Sequence, residues 1–178
     1  MDNAAYLGAM MKRAYIVCGS PCAGKSVYGR KLAEQKSAAL LDIDVSTERL
    51  VKLSLELAGY DSNDRDSSFF KENFREPIYE QLFDIACDNL QHINVVITAP
   101  FTKELKNPEW CEKLKERLGC AVEIHYVSCA PEVRRERMRK RGNPRDEAKL
   151  QDWDEYVRYY DEKPPCCPHV FVENSEET

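Results

Sequence analysis

The feature that most constrains this chain is the segment Gly-Ser-Pro-Cys-Ala-Gly-Lys-Ser at residues 19–26, which matches the spacing G-x-x-x-x-G-K-[ST]. An apolar, strand-like run precedes it at residues 14–18, and a helical pattern follows it to about Gln35. The two glycines permit a tight turn that directs backbone N–H groups at phosphate oxygens, and the following helix directs its positive N-terminal end at the same anion. The segment therefore predicts a phosphate-binding loop between a strand and a helix.

The residues of this loop have separate expected roles. Lys25 is expected to reach the β- and γ-phosphates of a nucleotide and to act in catalysis, while the Ser26 hydroxyl is expected to bind Mg²⁺. The other residues expected to contact the nucleotide here are Gly19, Ser20, Pro21, Cys22, Ala23, Gly24 and Val27. The motif alone predicts that a nucleotide is bound, and it does not decide whether the nucleotide is consumed.

Strand-like apolar runs alternate with helical segments along the rest of the chain. The predicted strands after the first are residues 38–43, 94–100, 121–129 and 170–174, and the predicted helices include 47–59, 107–119 and 131–141. A longer helical region between them, interrupted or restarted at Pro77, and a last helix to about residue 161 complete the pattern. Such alternation is typical of a parallel sheet with helices on both faces, so we expect a three-layer α/β fold. We expect one domain over residues 13–178, preceded by a disordered tail at residues 1–12.

Composition and charge exclude several classes of protein. The net charge is −5 at pH 7, which argues against a protein that binds nucleic acid through bulk positive charge. No apolar run is long enough to span a bilayer, and no signal peptide is recognisable. The eight cysteines include no C-x-x-C pair, so a zinc site has little support and a reduced, cytoplasmic protein is expected. No obligate protein partner is predicted.

The position of the acidic residues separates the classes of nucleotide-binding protein. The chain lacks the N-K-x-D and D-x-x-G motifs of a regulatory GTPase. The third predicted strand ends in Thr98-Ala99-Pro100 without the Walker B acid expected of a motor or AAA+-type ATPase. Acids follow the second strand instead, at Asp42 and Asp44.

Asp42 and Asp44 are expected to lie at the carboxyl edge of the sheet, where ligands bind in open α/β folds. Residues two apart on an extended chain point to the same side. One carboxylate is expected to hold a Mg²⁺-bound water and the other to accept a proton from an attacking hydroxyl. The alternative is that both are solvated loop acids or the N-cap of the next helix.

A basic segment at residues 132–145 carries seven basic and two acidic side chains, a local net charge of +5 in an acidic chain. Arg137 and Arg141 are four residues apart and share one helical face. With Arg145, they are expected to contact the nucleotide, because phosphoryl transfer needs cations at the oxygens that gain charge. The helix break at residues 142–144 is the point where such a lid would flex. A solvated basic helix face is the alternative, above all for Arg134, Arg135 and Arg139.

Three motifs together carry a resemblance to a known family: GSPCAGKS, the DID after the second strand, and RMRKR, which is similar to an R-x-x-x-R at the start of a lid. Over residues 13–174 the chain resembles the P-loop small-molecule kinases related to adenylate kinase, shikimate kinase, gluconate kinase, zeta toxin and polynucleotide kinase. The resemblance implies a P-loop fold with a five-stranded parallel sheet in the order 2-3-1-4-5 and a small lid at about residues 137–150.

The resemblance also implies roles for individual residues. Arg137 would pack on the adenine, and Arg141 would contact phosphate and act in catalysis. Asp42 would belong to the Mg²⁺ shell and Asp44 would be the catalytic base beside the substrate. Arg75 occupies a position where such kinases often carry an arginine for a substrate anion, although an exposed helix arginine is the commoner explanation. Thr98 and Phe101 would line the acceptor pocket, unless Phe101 belongs to the core.

These expectations converge on an enzyme that uses ATP and Mg²⁺ to phosphorylate a hydroxyl of a small metabolite. A nucleotide-binding module or an ATPase without an acceptor is the first alternative. A kinase for nucleic-acid 5′-hydroxyls is the second, and the acidic charge makes nucleic acid an unlikely partner. The acceptor pocket is expected within residues 47–91, whose composition does not identify the acceptor.

Overall fold

The computed structural model describes residues 12–160 and 163–175, so the predicted N-terminal tail lies, except for Lys12, outside the described residues. Its five strands form one parallel sheet in the order β2-β3-β1-β4-β5. The strands are β1 (Arg13–Cys18), β2 (Ala38–Asp42), β3 (Asn94–Thr98), β4 (Ala121–Ser128) and β5 (Val170–Glu173). The predicted strand order is confirmed.

Helices cover both faces of this sheet. In chain order they are α1 (Lys25–Lys36), α2 (Ile43–Leu57), α3 (Ser68–Asn73), α4 (Arg75–Leu90), α5 (Trp110–Leu118), α6 (Pro131–Arg141), α7 (Glu147–Gln151) and α8 (Trp153–Tyr160). Short 3-10 turns lie at Glu104–Lys106 and Pro144–Asp146. No helix in the described part of the chain is long and apolar enough to cross a membrane.

The central strand β1 shows why both faces need a helical cover. Every second residue faces the same way in a strand, and all positions from Ala14 to Cys18 are buried. Ala14 and Ile16 join the core beneath α4 and α5, whereas Tyr15 and Val17 join the core beneath α1. A strand that is apolar on both sides is typical of a parallel sheet in a three-layer fold.

Four helix boundaries differ from the prediction, and one of them is the start of α5, which lies at Trp110 rather than at residue 107. Helix α2 begins at Ile43 rather than near residue 47, because the Asp42 side chain caps it. The long helical region is divided at Phe74 into α3 and α4, and Pro77 lies in the first turn of α4, where a missing N–H group costs nothing. The predicted last helix is two helices, α7 and α8, separated at Asp152.

A disulfide joins Cys111 in α5 to Cys167 in the segment before β5. The expectation that all cysteines are reduced is therefore wrong for this pair. The two residues are 56 positions apart, so spacing along the sequence does not point to the pairing. The other six cysteines are thiols.

Candidate active site

A cavity of about 400 Å³ opens at the carboxyl edge of the sheet. The phosphate-binding loop, the start of α2, the end of β3, and residues from α3, α4 and α6 form its walls. The segment after α6, including Arg145 and Lys149, covers one side. Ligands of open α/β sheets bind at this edge, so the cavity lies where the topology places a ligand.

The phosphate-binding loop has the backbone shape that its glycines predict. Gly19 has φ of 132° and Gly24 has φ of 98°, which side-chain-bearing residues rarely adopt. A Cβ at Gly19 would lie 2.2 Å from the Val127 carbonyl oxygen, and one at Gly24 would lie 2.1 Å from Asn174 Nδ2. Gly24 is also the N-cap of α1, and no side chain caps the helix or places an acid in its first turn. The first N–H groups of α1 are therefore open to an anion, which fits a phosphate group.

The Lys25 ammonium group lies inside this loop. Its Nζ donates a hydrogen bond of 2.8 Å to the Ser20 carbonyl oxygen. Burial lowers the pKa of Lys25 to about 8, because the charged form loses hydration there. Ser26 and Val27 follow it in the first turn and line the cavity.

Asp42 is buried, and protein donors hold both of its carboxylate oxygens. Oδ1 accepts hydrogen bonds from the backbone N–H groups of Asp44 at 3.0 Å and Val45 at 3.3 Å. Oδ2 accepts one from Thr98 Oγ1 at 2.9 Å, across the β2–β3 pair. Asp42 is thus the N-cap of α2, as the alternative interpretation had it, and it also lines the cavity.

Asp44 does not lie on an extended chain beside Asp42, as we expected, but in the first turn of α2. Its carboxylate meets Arg145 in a two-point ion pair, with Nη1–Oδ1 at 3.1 Å and Nη2–Oδ2 at 2.8 Å. Arg145 Nη1 also lies 3.4 Å from Glu48 Oε2. Partial burial acts to raise the pKa of Asp44, but the hydrogen bonds and charge of Arg145, with Lys25 and Arg141, outweigh it and lower the pKa.

The structure brings the predicted lid arginines Arg137, Arg141 and Arg145 to the same cavity. Arg141 donates through Nε at 3.0 Å and Nη2 at 2.6 Å to Asp146 Oδ2, a carboxylate that is almost fully buried. Arg137 Nη1 lies 3.3 Å from Cys129 Sγ, beside the phosphate-binding loop. These three arginines therefore border the same cavity as the phosphate-binding loop.

Comparison with known proteins adds a family to this geometry. A family model described as AAA domain matches residues 15–163. The chain belongs to this family. A sequence search of the curated proteins finds no significant match. This AAA domain still lacks a Walker B acid, because its β3 ends in Thr98. The carboxylate beside Thr98 is that of Asp42, at the end of β2.

Solved structures similar to this AAA domain include several kinases. A protein from Chloroflexus aurantiacus J-10-fl to which kinase activity has been attributed has a TM-score of 0.62 at 15% identity, covering 93% of this chain and 89% of that one. A sugar kinase from Janibacter sp. HTCC2649 has a TM-score of 0.60 at 16% identity, with 91% and 85% covered. A gluconokinase from Sinorhizobium meliloti 1021 has a TM-score of 0.56 at 20% identity, with 94% and 85% covered. The predicted resemblance to P-loop small-molecule kinases is confirmed at the level of the fold.

The cavity also contains two of the three predicted substrate residues besides Asp44. Thr98 lines it, and Arg75 lines it while donating to Thr102 Oγ1 at 3.0 Å and Glu104 Oε2 at 3.2 Å. Phe101 is fully buried and packs against Tyr79, Phe83 and Trp110 in the core. Phe101 therefore does not line the pocket, and the core alternative describes it correctly.

Two of the remaining arginines of α6 have structural contacts instead of forming a solvated face. Arg134 is fully buried, and its Nε donates to the Cys129 carbonyl oxygen at 3.2 Å. The guanidinium groups of Arg134 and Arg135 lie 5.9 and 5.7 Å from the ring centre of Trp153 in α8. These contacts hold α6 to α8, whereas Arg137 and Arg141 line the cavity.

Sequence reasoning missed four further charged residues that line the cavity. Arg65 pairs with Glu48 at 3.1 Å, and Lys149, which is largely buried, pairs with Asp66 at 2.9 Å. Arg65 and Asp66 lie in the polar segment before α3, which its composition marks only as a connector. Their charge was the available signal, but nothing in the sequence shows that the segment folds over the cavity.

A bound Mg²⁺ ion fits the donors that surround the loop. No group of three or more His, Cys, Asp or Glu side chains could hold a metal ion within residues 12–160 and 163–175. Mg²⁺ in nucleotide sites needs no such cage, because phosphates and water supply most ligands. The Ser26 hydroxyl and a water on Asp42, whose oxygens keep spare acceptor capacity, are suitable ligands.

Proposed function

We propose that the protein is an ATP- and Mg²⁺-dependent phosphotransferase that acts on a hydroxyl group of a small metabolite. One observation carries this proposal: a single cavity contains Lys25 of the phosphate-binding loop, the carboxylate of Asp44 and the guanidinium groups of Arg141 and Arg145. A protein that only bound nucleotide would not need a cavity that extends beyond the phosphate-binding loop and contains the Asp44 carboxylate. Because ATP is the donor, we place the protein in the cytoplasm.

The nucleotide half supplies binding and charge stabilisation. The loop residues 19–27 would surround the phosphates, Arg137 would pack on the base, and Ser26 and Asp42 would hold Mg²⁺ directly or through water. The bound Mg²⁺ would neutralise phosphate charge. Lys25 and Arg141 would stabilise the charge that develops on the transferred group, because both are cations fixed around the loop.

The acceptor half would supply the base. Asp44 would accept the proton of the acceptor hydroxyl. At the same time the oxygen of that hydroxyl would form a bond to the γ-phosphorus, and the bond from this phosphorus to the bridging oxygen of ADP would break. Asp44 must first lose its two-point contact with Arg145. A triphosphate beside Arg145 is a stronger partner for that guanidinium than one carboxylate, so nucleotide binding would free the base.

The test is transfer of labelled γ-phosphate from ATP to compounds of a metabolite extract. Wild-type protein and the Asp88→Asn control, an exposed acid on α4, should both label a metabolite. Lys25→Ala should lose ATP binding. Asp44→Asn should bind ATP with similar affinity and transfer it about a hundredfold or more slowly, the usual range for a lost general base.

The alternatives give different results in this assay. Transfer at the wild-type rate by Asp44→Asn would remove Asp44 from the role of base. ATP binding without any labelled product would favour a nucleotide-binding module, and release of inorganic phosphate alone would favour an ATPase. Label on the 5′ end of an added oligonucleotide, and on no metabolite, would favour the nucleic-acid kinase.

A further inference from the structure

Helix α2 carries apolar side chains on two opposite sides. Val51 and Leu55 face the core and are buried. Leu50, Leu53 and Leu57 lie on the other side and are 71%, 52% and 80% exposed. A helix that borders solvent normally has one apolar side, so a second one indicates a second packing partner.

The exposed side has the spacing of a helix-pairing surface. Leu50, Leu53 and Leu57 follow one another at intervals of three and four residues, the a and d positions of a heptad. The active-site segment does not cover them, because Arg145 contacts α2 through Asp44 and Glu48, which lie on a different side of the helix. We call these three leucines the α2 stripe.

The charges beside the α2 stripe are complementary to themselves. Arg49 and Glu56 are both exposed, are seven residues apart and therefore lie on the same flank of the stripe. The opposite flank carries only the small polar residues Thr47 and Ser54. If an identical flank runs antiparallel beside this one, the Arg49 end of each flank lies next to the Glu56 end of the other, so that opposite charges meet.

We propose that the α2 stripe is the contact surface of a homodimer in which α2 pairs antiparallel with α2 of a second copy. When Leu50 of each copy packs against Leu53 of the other, Arg49 of each copy lies opposite Glu56 of the other. The same register brings Thr47 opposite Ser54, so neither flank meets a like charge. A two-fold interface requires such self-complementarity, whereas an unrelated partner does not.

This inference is independent of the proposed function, since the three leucines do not line the cavity, although Thr47 beside them does. It nevertheless involves the active site, because Asp42 caps α2 and Asp44 lies in its first turn. In the dimer, α2 of each copy would begin at the cavity of its own copy and would pack against α2 of the other copy.

The test is sedimentation velocity of the full chain over a range of protein concentrations. Wild-type protein should be a dimer, and Leu53→Glu should be a monomer because it places a charge in the centre of the stripe. Arg49→Glu should raise the dimer dissociation constant by about tenfold or more, since it sets two negative charges opposite each other across the interface. The double variant Arg49→Glu/Glu56→Arg should restore the wild-type dissociation constant. Lys113→Glu reverses the charge of an exposed side chain on α5, and it should leave the dimer dissociation constant unchanged.

Three outcomes would overturn the proposal. The first is wild-type protein that remains monomeric up to sub-millimolar concentration. The second is a dimer that Leu53→Glu and Arg49→Glu leave intact, which would lie on another face. The third is a double variant that stays as weak as Arg49→Glu while its circular dichroism matches that of wild type, which would exclude the antiparallel register.

Discussion

Thr98 ends β3 at the position where a Walker B motif would place an acid, and it donates its hydroxyl hydrogen to Asp42 instead. The carboxylate from the neighbouring strand thus has three protein donors, and its direction toward the cavity is fixed. The Thr98 methyl group packs against Gly29 of α1. A Cβ on residue 29 would lie only 2.3 Å from this methyl group. Thr98 therefore positions the carboxylate that we assign to the Mg²⁺ shell.

The Thr98→Val variant tests this positioning role. Valine keeps the methyl contact but removes the donor, which leaves a buried carboxylate oxygen short of one hydrogen bond. The free energy of unfolding should fall by about 1–3 kcal/mol, and the Mg²⁺ concentration needed for half-maximal transfer should rise. Ser67→Ala is the control, because it removes the hydrogen bond that Ser67 accepts from the Phe70 N–H at the start of α3, and Ser67 does not line the cavity. Equal effects of the two substitutions on the Mg²⁺ requirement would contradict the role.

The depressed pKa of Lys25 predicts a pH dependence of ATP binding. Only the charged ammonium group attracts phosphate, and in the free protein this charge is lost as the pH rises through about 8 instead of 10.5. ATP affinity should therefore fall above pH 8, by up to about tenfold per pH unit. Calorimetric titration from pH 7 to alkaline pH should show the decline in wild type. Lys25→Arg, which stays charged, should show a flat profile, and parallel profiles would contradict the assignment.

At the scale of elements, the sequence predicts β1, the phosphate-binding loop and α6 well because local signals define their ends. Gly24 opens α1, Pro131 opens α6, and Gly142 ends α6 with φ of 58°. The start of α2 is harder to predict, because Asp42 is compatible with both a strand end and a helix cap. The hydrogen bonds that the Asp44 and Val45 N–H groups donate make Asp42 the cap, and the β2–β3 register adds the Thr98 bond that holds its other oxygen.

The disulfide between α5 and the segment before β5 predicts a measurable effect of reduction. Closing a loop between residues 56 positions apart restricts the unfolded chain, which in the chain-entropy model stabilises the fold by about 4 kcal/mol. Dithiothreitol should lower the denaturant midpoint of wild type and leave that of Cys111→Ala/Cys167→Ala unchanged. Thiol titration of the unfolded, unreduced protein should count six groups. A count of eight would show that the bond is absent.

At the scale of the whole molecule, the acidic chain concentrates cations around one cavity. The net charge is −5, yet Lys25, Arg137, Arg141 and Arg145 line the same opening. The sequence predicts this convergence through the phosphate-binding loop and the basic segment. It does not predict Arg65, Lys149 or Asn174, since their positions depend on how distant segments pack.

Nucleotide binding should stabilise the whole fold, because the cavity is bordered by elements from both ends of the chain. ATP with Mg²⁺ at one hundred times its dissociation constant should raise the free energy of unfolding by about 2.7 kcal/mol. Thermal unfolding with and without the nucleotide measures this gain. Lys25→Ala should lose it, whereas Lys113→Ala, an exposed lysine on α5, should keep it. An equal gain in Lys25→Ala would place the nucleotide elsewhere.

The hydrogen bond that Asn174 makes with the phosphate-binding loop has a consequence for the synthesis of the protein. Asn174 Nδ2 donates to the Ala23 carbonyl oxygen at 2.7 Å, across 151 positions of sequence, and the Asn174 backbone N–H donates to Ser128. A ribosome makes residues 19–26 early, but the residue that holds the loop leaves the exit tunnel only after β5. A nascent chain therefore lacks this hydrogen bond to its phosphate-binding loop until Asn174 has left the exit tunnel.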